Sequence, residues 1–421
     1  MKKVGIALLG LGVVGSGTYK ILQKNHEYIK NYYGVDIEVL HVLEKDIAKA
    51  EALGIDKSKV STDINNIVRN PDISIVAEFF GGIEPARSFL IASLKAGKSV
   101  VTSNKEMFAK SWYELEAAAK EGNAGLYFEA SCVGGVPIIR TLQESMQGNN
   151  ILSIMGIVNG TTNYILTNMA DKGMEYADVL KEAQKLGYAE ANPSADVDGF
   201  DSMYKLSILS TLAFHKKIPL EKIYREGISK VSKVDMEIGK EFGFTLKLLA
   251  IGKLINGKVE VRVHPAFLPN NHPLASVKGS FNAVMIVGDN VGDIMLYGRG
   301  AGDLPTGSAI VSDIVYCSKQ VEHTLTVFEN CKDADFTDDF ECKYYIRMTV
   351  EDRSGVLAKI TGVFAKYEVS IDAMQQKQGG DSASVIFLSH KNSEKNFMRA
   401  VSEIKSLNEV KNIDAVIRLV D

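Results

Sequence analysis

The chain has 421 residues, 46% of them hydrophobic and 24% charged, with a formal net charge of −4. That length implies roughly two to four domains with sizeable cores, and the balanced charge argues against a nucleic-acid partner or an acidic solvating tail. Cys132, Cys317, Cys331 and Cys342 lack the C-x-x-C spacing of a zinc or redox site, and a chain of this size needs no disulfide framework, so a reducing, cytoplasmic setting is expected.

Lys2 and Lys3 precede an apolar run, as in a secretion signal, but Gly5, Gly10 and Gly12 interrupt it. The pattern reads better as a buried strand over 4–9, a glycine turn and a helix over 15–32. Further strands are predicted over 37–43, 73–78, 99–102 and 127–130, with helices over 85–96 and 110–121. Strands alternating with helices specify an α/β fold with a doubly wound parallel sheet, placed here at 1–130. No apolar stretch is long enough to span a membrane.

Beyond 130 the character changes. A glycine-rich stretch at Gly134-Gly135-Val136-Pro137 leads into helical and then β-rich sequence, from about Leu248 to Val287, an α+β domain over 131–305. A helix is predicted over 306–318, within a segment 306–328. The acidic stretch 329–341 has little periodicity and reads as a linker, closed at 342. From Lys343 the pattern restarts as strand 344–350, helix 356–367, strands 370–378 and 383–390, helix 396–407 and strand 410–419. This βαββαβ order is ferredoxin-like, over 343–421.

Gly10-Leu11-Gly12-Val13-Val14-Gly15 matches G-x-G-x-x-G between a predicted strand and a predicted helix, the context of a Rossmann dinucleotide site. The first glycine permits the tight turn, the second a close approach of pyrophosphate, the third close packing of helix on strand. The helix N-terminus then offers unpaired N–H groups to the anion. At the end of the second strand, Glu44 could hold ribose hydroxyls, while Lys45 or His41 could pair with a 2′-phosphate; the reading leans to NADP over NAD.

Asp201 and Lys205 lie four apart, on one face of a helix. That spacing alone is met by many surface ion pairs. Here the same face continues through Ile208, Leu209 and Leu212, and the opposite side carries Phe200, Met203 and Tyr204, so the helix is buried. A buried lysine is costly unless paired, which raises a functional reading.

The stretch Gly156-Ile157-Val158-Asn159-Gly160-Thr161-Thr162-Asn163-Tyr164-Ile165-Leu166 resembles the signature of homoserine dehydrogenases. So do Leu186-Gly187-Tyr188-Ala189-Glu190 with Ala195–Asp201 and Lys205, and Ser103-Asn104-Lys105. Glu129-Ala130-Ser131 with the following glycine turn, and Gly298–Gly302 with Pro305-Thr306, complete the family's order across roughly 4–320. The resemblance implies NAD(P)H-dependent reversible reduction of L-aspartate 4-semialdehyde to L-homoserine, in threonine, isoleucine and methionine biosynthesis. No aspartate kinase region precedes Gly10, so a monofunctional enzyme is expected.

By family position Lys205 is the proton donor, Lys105 a second cation polarising the carbonyl oxygen, and Asp201 orients the substrate or Lys205. Glu190 binds the substrate ammonium, and Asp196 supports the same polar site, with Lys105 also touching substrate. Ser103, Lys105 and Gly302 join residues 10–15 at the cofactor. The resemblance also implies a monovalent cation, usually sodium, near Glu129 and the carbonyls of Cys132, Gly134 and Val136. The sequence departs from the family's habit at Cys132 and Val133, and Val133 could restrict that turn. The middle domain would bind substrate and dimerise, 306–328 would return to the nucleotide domain, and a homo-oligomer, dimer or tetramer, is implied. Residues 343–421 resemble an ACT domain, with Asp352-Arg353-Ser354-Gly355-Val356 at the strand–helix junction. That implies an amino-acid effector, often threonine.

Overall fold

The computed structural model describes residues 2–320, 327–379 and 381–420. Its first sheet has six parallel strands in the spatial order Val60–Ser61, Val35–Leu43, Lys2–Leu9, Ile73–Glu78, Ser99–Thr102, Leu126–Tyr127. The chain direction of winding reverses between Lys2–Leu9 and Ile73–Glu78, so a crevice opens at their carboxyl ends, where the glycine turn lies. Apolar side chains such as Ile6 and Leu8 are buried because helices cover both faces.

Two predicted helices needed revision. The helix expected over 15–32 is two, Val13–Lys24 and His26–Tyr33, separated at Asn25, whose ψ of 12° turns the axis. The helix expected from 110 begins at Lys105, because Asn104 Oδ1 accepts the N–H of Met107 at 3.1 Å and caps it. The helix Asp303–Lys319 packs on Val13–Lys24, and only glycine allows the approach: a Cβ on Gly17 would lie 2.3 Å from Asp303 O. Ile310 and Ile314 thereby enter the core formed by Ile6 and Leu8.

The second sheet runs without interruption from the middle domain into the C-terminal one. Its order is Gly292–Arg299, Phe281–Gly288, Ile151–Ile157, Phe244–Ile255, Lys258–Pro269, Val410–Leu419, Glu341–Glu351, Ser382–Ser389, Ile371–Gln378. The last four strands, with helices Val356–Lys366 and Glu394–Lys405, form the expected βαββαβ domain. It joins the rest through a short parallel pairing, Ala266 opposite Arg418 and Phe267 opposite Leu419. Buried polar contacts reinforce the joint: Arg347 Nε and Tyr345 OH donate to Asp235 Oδ1 at 2.7 and 2.8 Å.

The linker reading of 329–342 is corrected by the packing of its residues. Glu116 accepts the backbone N–H groups of Phe328 and Glu329 at 2.9 and 2.7 Å, and Phe328 lies 5.4 Å from the Trp112 ring. Asp335–Phe336 pairs with Lys258–Val259, and Cys331 and Phe340 are buried. The acidic composition concealed two anchors, Phe336 and Phe340, too few to show a period. No helix among the described residues is long and apolar enough to cross a membrane.

Candidate active site

The cofactor side is shaped by backbone. Gly10 has φ +98°, in the region that disfavours side chains, and its N–H donates to Leu43 O at 2.9 Å. A Cβ on Gly15 would lie 2.2 Å from Gly10 O, whereas nothing comes within 4 Å of one on Gly12. The open space is therefore on the Gly12 side, at the uncapped start of helix Val13–Lys24. Those features fit a dinucleotide pyrophosphate. Gly302, φ +123°, leads into Asp303, whose backbone abuts Gly17, so the structure brings this distant glycine beside the turn.

Glu44 fastens the turn to the second strand. Its carboxylate accepts N–H groups from Leu11, Lys45 and Asp46 at 2.7, 2.9 and 3.0 Å. Burial works against its ionisation, yet the backbone donors and Lys49 hold its pKa below the ordinary value. His41 is paired with Ser61 Oγ at 2.7 Å, and burial lowers its pKa, so it is a poor partner for a 2′-phosphate. Lys45 is exposed.

Across the crevice, Asp201 is the centre of the charged groups. It sits in the first turn of helix Phe200–Phe214, where Gly199, φ +83°, enters from the preceding loop. Lys205 Nζ lies 2.7 Å from Asp201 Oδ2 and Lys105 Nζ 3.2 Å from Oδ1, so one carboxylate bridges two ammonium groups from separate segments. Burial pushes the Asp201 pKa up, but the two lysines prevail and hold it well below the carboxylate range. The same Asp201 charge raises the Lys105 pKa.

Lys205 is 8% exposed and also donates to Val158 O at 2.7 Å. Two of its three N–H donors are thus engaged, leaving one for a ligand oxygen. Lys105 is more open, with 40% of its side chain exposed. Two cations beside one crevice, each anchored by the same anion, can polarise a carbonyl oxygen and exchange a proton with it.

Asn159 completes the group and was not singled out from sequence. Its Nδ2 donates to Asp196 Oδ1 at 2.7 Å and Asp201 Oδ2 at 2.9 Å, while its Oδ1 accepts Thr162 N–H and caps helix Gly160–Lys172. Burial, and then the Asp201 charge, raise the Asp196 pKa, so the two carboxylates bridged by one amide are driven apart. An asparagine directly before a helical pattern is an N-cap signal that could have found it. Glu78 was also missed: wholly buried at a strand end, it accepts Phe80 N–H and Thr102 Oγ1, both at 2.5 Å.

Three models of known families match this chain. They are homoserine dehydrogenase at residues 137–315, homoserine dehydrogenase NAD binding domain at 10–129, and ACT domain at 344–409. The homoserine dehydrogenase of Corynebacterium glutamicum is 40% identical over 99% of this chain and 95% of its own length. That of Bacillus subtilis is 38% identical over 100% of this chain and 99% of its own. The chain belongs to the homoserine dehydrogenase family. It is an NAD(P)-dependent oxidoreductase acting on the CH–OH group of homoserine. Among solved structures, a homoserine dehydrogenase from Thiobacillus denitrificans superposes with a TM-score of 0.95 at 40% identity, covering 100% of this chain and 99% of that one. A hyperthermophilic archaeal homoserine dehydrogenase in complex with NADPH gives 0.64 at 31% identity, over 75% of this chain and 98% of that one.

Other expected residues stand apart from the Asp201 group. Glu190 is exposed, and among the described residues its carboxylate makes no hydrogen bond; its carbonyl accepts from Gln184 at 3.0 Å. Ser103 is half-buried beside Asn104. The Glu129 carboxylate accepts the N–H groups of Ile139 and Arg140, each at 2.8 Å, and so caps a short helix. Val136 O accepts from Ile138 at 2.8 Å. Val133 adopts φ +47° and Gly134 +57°, so the turn forms despite the β-branched side chain, in a backbone region costly for valine. A cavity of about 700 Å³ is bounded by Glu129, Arg140, Asp313, His215 and Gln320, and none of Lys105, Glu190, Asp196, Asp201 or Lys205 lines it.

Proposed function

We propose that Lys205 is the acid that protonates the carbonyl oxygen of L-aspartate 4-semialdehyde, and the base in homoserine oxidation. The observation that carries this is the buried Asp201 carboxylate bridging Lys205 at 2.7 Å and Lys105 at 3.2 Å. When bound, the nicotinamide supplies the hydride in reduction or accepts it in oxidation. Lys105 binds the same oxygen from the cofactor side and lowers the cost of the charge developing there. Asp201 aims both ammonium groups, and its charge favours the protonated form of Lys105. Asn159 holds Asp201 and Asp196 in register, and Asp196 with Glu190 receives the substrate ammonium, Glu190 closing in when substrate binds. Leu11, Val13 and Val14, with the three glycines, cradle the pyrophosphate, and Ser103 and Gly302 flank the nicotinamide.

NADP is the preferred cofactor in this reading, with Lys45 meeting the 2′-phosphate; the archaeal relative's complex with NADPH supports it. A sodium ion is placed at the carbonyls of Cys132, Gly134 and Val136 near Glu129. A carbonyl already accepting one N–H keeps a second lone pair for a cation. Residues 343–421 take an amino-acid effector, threonine, at Asp352–Val356. A homo-oligomer is supported by the exposed edge strand Gly292–Arg299, which presents Met295 and Tyr297. The domain limits stay at 1–130, 131–305 and 343–421, and the enzyme is placed in the cytoplasm, serving threonine, isoleucine and methionine synthesis. The test is a spectrophotometric assay of homoserine oxidation with NAD and NADP in parallel, with and without threonine and sodium. Faster turnover with NADP and inhibition by threonine are expected; indifference to either removes that part of the reading.

A further inference from the structure

Between the ACT domain and the catalytic group lies the segment Tyr224–Ile228. Tyr224 and Arg225 pair in parallel with Arg262 and Val263 of strand Lys258–Pro269, and Glu226 N–H donates to Val263 O at 2.8 Å. One side of this segment faces the substrate loop. Ile228 N–H donates to Val197 O at 2.8 Å, and Arg225 Nη1 donates to the Asp198 carbonyl. The Arg225 guanidinium also lies 3.5 Å from the ring centroid of Phe200, the first residue of the helix that carries Asp201 and Lys205. The approach is close enough that a Cβ on Gly227 would sit 2.3 Å from Val197 O.

The other side faces the ACT domain. Arg418, 4% exposed on its last strand, is fixed by Glu394 through bonds of 3.0 and 2.5 Å. It reaches across to Glu226 Oε2 and Tyr224 OH, each at 3.1 Å, and Tyr224 OH meets Glu226 at 3.0 Å. Arg418 and Glu394 are shielded from water, whereas Tyr224 is exposed and Glu226 half-buried. A buried cation on the ACT side therefore holds Glu226 and Tyr224 by directed hydrogen bonds, and moving Arg418 obliges Glu226 to follow or lose its partner.

We propose that Arg225 is a positioning residue for the Asp196–Asp201 loop, and that Arg418 of the ACT domain sets Arg225 through Glu226. Arg225 touches neither substrate nor cofactor in this scheme. It fixes the carbonyl and the ring on either side of Gly199, the one residue with free backbone rotation before Asp201. Misplacing a reacting group by about 1 Å can cost about 10²-fold in rate, so a slack turn here has a large effect. The second half of the proposal rests on the effector reading given above; the first half does not.

The test uses the full-length enzyme and four variants, R225K, R225M, E226Q and the double R225M/E226Q. R225M is expected to lower kcat for homoserine by about 10-fold or more, while the cofactor dissociation constant, read by fluorescence, stays within about 2-fold. R225K should recover part of the loss, because it keeps the bond to Asp198 O without the stacked plane. E226Q should lower kcat/KM by about 3-fold, and this effect should vanish in the R225M background if both act through one element. Wild-type kinetics in R225M would overturn the positioning role. An E226Q effect that simply multiplies with that of R225M would overturn the route from Arg418. Should R225M fail to fold, R225K and E226Q decide by the same criteria. If the wild-type protein did not oxidise homoserine, the functional reading would fail by itself. Amide hydrogen exchange over 196–205 would then decide, faster exchange in E226Q supporting the coupling and unchanged exchange refuting it.

Discussion

The two walls of the crevice are built on different principles. On the cofactor side, Gly10, Gly12, Gly15 and Gly17 work by having no side chain, and the nearest anion, Glu44, is consumed by three backbone N–H groups. On the substrate side, Asp201, Lys205, Asp196 and Asn159, met by Lys105 from across the crevice, offer charge and hydrogen bonding, and these five residues arrive from four separate segments of the chain. In the proposed reading, shape recognises the cofactor's pyrophosphate through fixed backbone dipoles, whereas a developing charge on a substrate oxygen needs groups that can exchange a proton. Substitutions on the two walls should therefore fail in different ways.

The largest effect is expected at Lys205. Lys205→Ala should lower kcat by at least about 10²-fold, the usual worth of general acid catalysis, with cofactor affinity kept. Stopped-flow and steady-state rates with homoserine check this. A variant turning over at near the wild-type rate would end the assignment and break the contrast between the walls.

Gly15→Ala should show the opposite signature. Its Cβ would fall 2.2 Å from Gly10 O, so the turn must open. Cofactor affinity should drop by about 10-fold, since one distorted contact to pyrophosphate costs on the order of 1.4 kcal/mol. The homoserine KM at saturating cofactor should hardly change. Titration of the bound cofactor by fluorescence distinguishes the outcomes, and unchanged affinity would show that the turn tolerates a side chain.

This division also explains what was legible in the sequence. The turn lies within six consecutive residues, between a strand and a helix, and so could be read locally. The Asp201–Lys205 pair was visible because both residues share one helix. Lys105 entered only through family resemblance, since nothing local to Ser103-Asn104-Lys105 tells that it meets Asp201 across the crevice. Asn159 lies within the 156–166 motif, but its role is not local to it, because its partners are 37 and 42 residues away. The 329–342 stretch was misread for a related reason. Its two anchoring aromatic residues, Phe336 and Phe340, are too few to show a period, and strand pairing with Lys258–Val259 depends on a distant edge.

A smaller effect is expected at Glu190, on the substrate side but outside the charged group. It is exposed in a loop, so the proposed contact with the substrate ammonium would form on binding. Glu190→Gln should raise the homoserine KM several-fold, roughly the 1 kcal/mol or so of a partly solvated charged hydrogen bond, and leave kcat nearly unchanged. A fall in kcat with an unaltered KM would instead move Glu190 into the chemical step and enlarge the charged wall by one residue.

The smallest effect concerns an ionisable group buried behind the cofactor wall. Glu78 is wholly buried, and burial pushes its pKa up from 4.5 to about 7, against the pull of Thr102, Phe80 and Asn104. Among the described residues it makes no ion pair, so no cation opposes that rise. Between about pH 4.5 and 7 the folded protein keeps a proton that the unfolded chain has released. By linkage, the stability tied to this proton is full below the unfolded value and is lost as pH rises through the window to about 7. The melting temperature should therefore decline between pH 5 and pH 8, other groups contributing their own slopes. Glu78→Gln holds a neutral group there at every pH, so the decline should be shallower, with homoserine kcat unaltered at pH 8. If the wild-type and variant melting curves run parallel across pH 5 to 8, Glu78 does not titrate in this range. If instead kcat collapses in the variant, charge matters behind the cofactor wall as well, and the distinction between a wall of shape and a wall of charge falls.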